Sequence, residues 1–170
     1  IGNLPAELAA AMAKAGATSP TIRLRQGDKA ALVEALTMIA DDKADAAKRQ
    51  QLVAILGTIN QPACVPVLLK LLSSSRNDGL KSAALGALMS YSDPSIGSTV
   101  LGLYNELPEQ VRDVAQSLVA SRKPWAEQFV ALIDSGKIDS KSVSEPTVRR
   151  LQLYDTPAIV AACKKHWGDL

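Results

Sequence analysis

The sequence predicts an all-α chain of stacked helical hairpins, on three observations. A short motif recurs every thirty-odd residues, apolar residues fall at helical spacing, and strand signals are almost absent. The motif is a Leu six residues ahead of a Pro. It occurs as Leu56 to Pro62, Leu88 to Pro94, Leu118 to Pro124 and Leu151 to Pro157, with the prolines 32, 30 and 33 residues apart. In each copy a helix ends near the Leu and a polar turn follows. Pro then opens the next helix in its first turn, where its missing N–H costs nothing and its fixed φ is already helical.

Two helices are predicted ahead of the repeats. The first runs from about Leu4 to Ala15, with Leu8, Met12 and Ala15 on one face. The segment from Gly16 to Gln26 carries Gly, Thr, Ser and Pro and reads as an extended link. The second helix starts at Asp28, a good N-cap behind Gly27, and runs to about Ala40 through Ala31, Leu32, Ala35, Leu36 and Ile39. The cluster Asp41-Asp42-Lys43-Ala44-Asp45 then reads as a solvated turn.

Four helical pairs are expected over 44–74, 76–106, 108–135 and 144–168, behind an N-terminal capping pair over 1–43. The first helices use Leu52, Val53 and Leu56; Leu80, Ala84, Ala87 and Leu88; Val111, Val114, Ala115 and Leu118; then Val148 and Leu151. The second helices use Val65, Leu68, Leu69 and Leu72; Ile96, Val100, Leu101 and Tyr104; Phe129, Val130, Leu132 and Ile133; then Ile159, Val160, Cys163 and Trp167. These are amphipathic patterns at i, i+3, i+4 and i+7. The link from Asp134 to Glu145 is polar and is expected to be an exposed loop. One hairpin cannot cover its own apolar face. Four or five in a row can, each meeting the next through dry faces in a right-handed superhelix.

The 170 residues are 47% hydrophobic but only 4% aromatic, so the core is to be built from Leu, Ile, Val and Ala. Net charge is +2, which gives no electrostatic case for nucleic acid or an anionic membrane as the main partner. No apolar run is long enough to predict a membrane-spanning helix. Cys64 and Cys163 sit about three repeats apart, too far for a disulfide, and read as buried free thiols. No signal peptide shows at the start. The chain opens Ile1-Gly2 rather than with Met, as expected of a segment of a longer protein.

The stretch Ala54-Ile55-Leu56-Gly57-Thr58-Ile59-Asn60-Gln61-Pro62-Ala63-Cys64-Val65-Pro66-Val67-Leu68 resembles a HEAT repeat. Val111-Arg112 and Val148-Arg149 look like the Val-Arg that opens the first helix of such repeats; the other first helices lack it. The resemblance implies an α-α superhelix of the HEAT/armadillo-like kind and a non-enzymatic scaffold that contacts protein. A narrower resemblance rests on Ile22 to Asp28, Leu118 to Arg122, Ala131 to Ile138 and His166-Trp167-Gly168. These look like the helical segment of large bacterial secreted proteins, which lies between a dehydrogenase-like β-propeller and a c-type haem domain. That likeness implies adjoining redox domains on the same polypeptide and a periplasmic or exported location. This chain has no Cys-x-x-Cys-His, so it does not itself attach haem covalently.

No catalytic, cofactor or metal site is expected. His166 is the single histidine; with Cys163 one helical turn away it offers two metal ligands, fewer than a site needs. No Gly-rich phosphate loop and no Gly-x-Ser-x-Gly elbow occurs. Possible partner contacts are Trp125, Trp167, His166, Arg149 and Arg150. The tryptophans are named because Trp is enriched at interfaces, although in a chain so poor in aromatics Trp more often fills a core. On the face of the second helices, Lys70, Gln128 and Lys164 are expected to be exposed. An alternative is an enzyme on a HEAT-like scaffold, such as the DNA glycosylases that hold duplex in a basic groove. The dispersed charges of this chain argue against it.

Overall fold

The computed structural model describes residues 20–168. Among them are ten α-helices and no strand. The helices are α1 (Pro20–Arg25), α2 (Lys29–Ala40), α3 (Ala46–Ile59), α4 (Val65–Ser74), α5 (Asp78–Leu88), α6 (Pro94–Leu103), α7 (Glu109–Val119), α8 (Lys123–Asp134), α9 (Glu145–Leu151) and α10 (Pro157–His166). Single 3₁₀ turns lie at Pro62–Cys64, Tyr104–Glu106 and Ser140–Ser142.

Local chemistry sets the boundaries. Asp28 accepts from the amides of Ala30 and Ala31, Asp45 from Lys48, Asn77 from Leu80 and Asp93 from Ser95, all at 2.8–3.1 Å. Each satisfies amides that the first turn of a helix leaves without an internal partner. Pro94, Pro124 and Pro157 stand in the first turns of α6, α8 and α10, and Pro62 opens the 3₁₀ turn that leads into α4. At the end of α3, Asn60 takes the left-handed conformation (φ 48°) that closes a helix.

The helices pack in two rows. In the first, α1, α3, α5 and α7 lie each against the next; in the second, α2, α4, α6, α8 and α10 do the same. One contiguous set of buried residues runs from Leu24 to Cys163. The core is Leu, Ile, Val and Ala, joined by Tyr91, Tyr104, Trp125 and Phe129. Both cysteines are free and buried, and burial raises the pKa of each thiol. Two glycines permit close approach. A Cβ on Gly57 would lie 2.9 Å from the Ala87 Cα across the α3–α5 contact. A Cβ on Gly97 would fall on the Trp125 indole across the α6–α8 contact.

Three expectations need correction. Residues 20–25 are helical, not extended: Leu24 enters the core, and the Arg23 guanidinium meets the Asp28 carboxylate at 2.8 Å just beyond the helix end. The link from Asp134 to Glu145 is not simply exposed. It buries Ile138 and Val143, so it covers the core where a short α9 would leave it open. Between the third and fourth pairs the joint is not purely apolar, because the buried side chain of Gln116 bridges it. The expected helix from Leu4 to Ala15 lies outside the described residues.

Candidate interaction surface

Stacked helices leave carbonyls at their C-termini without partners, and the turns of this chain supply them. Tyr91 Oη donates to the carbonyl of Leu56 at 2.6 Å. Arg122 donates to the carbonyls of Tyr91 and Met89 at 2.9–3.2 Å, and its guanidinium lies 5.2 Å from the Trp125 ring centre. Tyr154 Oη donates to the carbonyl of Ala120 at 2.9 Å. Each turn thus reaches back to the turn before it, across 31–35 residues. Nearer the N-terminus, the buried Arg49 donates to the carbonyl of Ile39 at 2.9 Å and pairs with Asp42 at 3.0 Å. This ladder ties each turn of the array to the one before it.

On the second row, Lys70 of α4, Gln128 of α8 and Lys164 of α10 are exposed. Between α6 and α8 a groove of about 510 Å³ is lined by Ser98, Leu101, Gly102, Gln128, Leu132 and Ile138 among others.

At the end of the array, Asp134 forms a clasp. One carboxylate oxygen lies 2.8 Å from Lys165 Nζ and 2.7 Å from His166 Nε2, tying the end of α8 to the end of α10. Hydrogen bonds from Lys165 and then from His166 hold the Asp134 pKa below its ordinary value. Trp167 is partly buried beside His166, with ring centres 5.8 Å apart, and its Nε1 donates to the carbonyl of Ser140 at 3.1 Å.

The sequence-predicted contact residues therefore part company. His166 and Trp167 are brought together in this clasp. Arg149 and Arg150 are exposed on α9, where Arg149 pairs with Glu145 at 2.6 Å. Trp125 is only 3% exposed, so the expectation of a partner contact there is corrected: its indole fills the space that Gly97 vacates. Sequence reasoning missed Asp134, Gln116 and Arg122. A signal existed for Gln116, since Arg112 and Gln116 form an i, i+4 polar pair beside the apolar row Val111, Ala115 and Leu118.

Beside Gln116 is a polar cavity of about 410 Å³. The amide of Gln116 donates to Tyr104 Oη and the Ser142 carbonyl and accepts from the Ser144 amide, each at 2.8 Å. These bonds fix the segment from Lys141 to Ser144 as one wall of the cavity, opposite Glu109, Arg112 and Asp113.

The two-row array is matched by a family model, described as HEAT repeats, over residues 33–120. The chain belongs to the HEAT repeat family. The match takes in α3 to α7 whole and most of α2, which includes the α3–α5 and α5–α7 contacts of the first row. The comparison with curated proteins and that with solved structures each returned no match. HEAT repeats generally mediate protein interaction or scaffolding, and proteins are the partners this membership suggests. Among the described residues no helix is long and apolar enough to cross a membrane, and no group of three or more His, Cys, Asp or Glu side chains is placed to hold a metal ion.

Proposed function

We propose that this HEAT-repeat chain is a non-enzymatic spacer that holds adjoining redox domains of a larger exported protein at a fixed separation. The single observation that carries the scaffold reading is the continuous core with its ladder of turn-to-turn hydrogen bonds. An array braced at every joint transmits position from one end to the other, because closely packed interiors do not deform continuously. The identity of the held domains rests on the likeness of Ile22 to Asp28, Leu118 to Arg122, Ala131 to Ile138 and His166-Trp167-Gly168 to secreted proteins with a β-propeller and a haem domain. In this reading Trp167, His166, Arg149 and Arg150 lie on the fourth pair, where a following domain would make contact.

The test is pull-down of the adjoining domains by this chain, followed by cross-linking in the intact polypeptide. The reading requires cross-links from the fourth pair to the following domain. Free tumbling of this segment in the intact protein, with no such cross-links, would refute it.

A further inference from the structure

Arginines in this chain follow a rule with one exception. Arg23, Arg49 and Arg122 are not fully exposed, and each meets a carboxylate or a carbonyl. Arg25, Arg76, Arg149 and Arg150 are exposed to water. Arg112 is half-buried, its Nε is shielded from solvent, and that atom has no hydrogen-bond partner among the described residues. Nor does Arg112 make an ion pair with any described residue, although Glu109 and Asp113 line the same cavity. Lys141 lines the opposite wall and is likewise without an ion pair.

A guanidinium stays charged at every physiological pH, and shielding one of its N–H groups from water without a partner is costly. Its fork geometry suits a carboxylate. The cavity exceeds the size of one carboxylate, and its wall is already fixed by the three hydrogen bonds of Gln116, so binding asks chiefly that the Arg112 side chain turn to present its shielded N–H. Glu109 and Asp113 add two negative charges to the lining. They disfavour a run of acidic residues and favour a cation beside the carboxylate.

We propose that the cavity between α7 and the Lys141–Ser144 segment binds a partner peptide in which an acidic side chain adjoins a basic one. The acid sits between Arg112 and Lys141, and the base faces Glu109 and Asp113. The proposal deepens the protein-interaction reading and rests on it, but it does not depend on which domains adjoin.

The probe is the peptide acetyl-Gly-Glu-Lys-Gly-amide, titrated into the ¹⁵N-labelled chain while the Arg112 Nε–H signal is followed. Saturable movement of that signal is expected, with binding weaker by about tenfold or more for the Gln-Lys peptide, which lacks the charged acceptor. The Lys141→Gln change is at an exposed position, so the fold persists, and it should weaken binding of the Glu-Lys peptide. The Arg112→Gln change should abolish it. Equal response to the Glu and Gln peptides, or binding that leaves the Arg112 signal unmoved, overturns the proposal. So does binding that survives Arg112→Gln. If cross-links to adjoining domains persist in that variant while the peptide fails to bind wild type, the cavity assignment alone is wrong.

Discussion

Single residues decide how closely the helices approach. Gly97 faces the Trp125 indole, which is buried and cannot swing into solvent without opening the core. The Gly97→Ala change should therefore lower stability by roughly 1–3 kcal/mol, as overpacking does, read as a lower denaturant midpoint at an unchanged slope. The ladder makes a second case. The Tyr91→Phe change removes the hydroxyl and leaves the Leu56 carbonyl unpaired in a buried setting. A loss of about 1–3 kcal/mol is expected in the same measurement, and a neutral result would mean that the ladder contributes no stability. Burial raises the Tyr91 pKa, so its hydroxyl keeps its proton for this bond. None of these pairings was legible from the sequence. Pro124-Trp125 read as a helix start with an exposed option because nothing in one dimension places Gly97 under the indole.

Elements were far more legible than pairings. The interval of thirty-odd residues placed each repeat, because a Pro in the first turn and an apolar stripe leave one helical reading for each segment. Two elements escaped. At six residues α1 is too short to show a period, and Pro20 beside Ser and Thr mimics a loop. The Asp134–Glu145 link looked uniformly polar because its two core residues, Ile138 and Val143, are spaced five apart and follow no helical stripe. That link relies on Gln116. A Gln116→Leu change leaves the Ser142 carbonyl and Ser144 amide without their partner, so hydrogen exchange should quicken at 140–151 while α3 to α6 keep their protection. Uniform quickening along the chain would contradict this placement.

The Asp134 clasp belongs to the same scale, since it joins two helix ends. Its carboxylate is held below its ordinary pKa of 3.8 by Lys165 and His166. The sign follows from that direction. The contribution of the Asp134 carboxylate is whole above about pH 4 and is lost as pH falls through the lowered folded-state value. Trp167 sits beside His166, so its fluorescence should show a transition in acid that reports release, and the Asp134→Asn change should remove that acid transition. An unchanged acid transition in the variant would assign the effect elsewhere.

For the whole molecule, the governing fact is that first-row helices pack on first-row helices and second-row on second-row. A hairpin taken alone therefore loses the neighbours on both sides that keep its apolar faces dry. Sequence reading reached this architecture from periodicity alone, and membership in the HEAT repeat family agrees with it. Circular dichroism of the excised segment 44–74, set beside 44–135, tests it most directly. Stability in such arrays comes from neighbour contacts and needs about three repeats. The three-pair segment is predicted to be helical with a cooperative thermal transition, and the single pair largely unfolded at the same concentration. A single pair that is as helical as the array, and melts as cooperatively, would contradict the account.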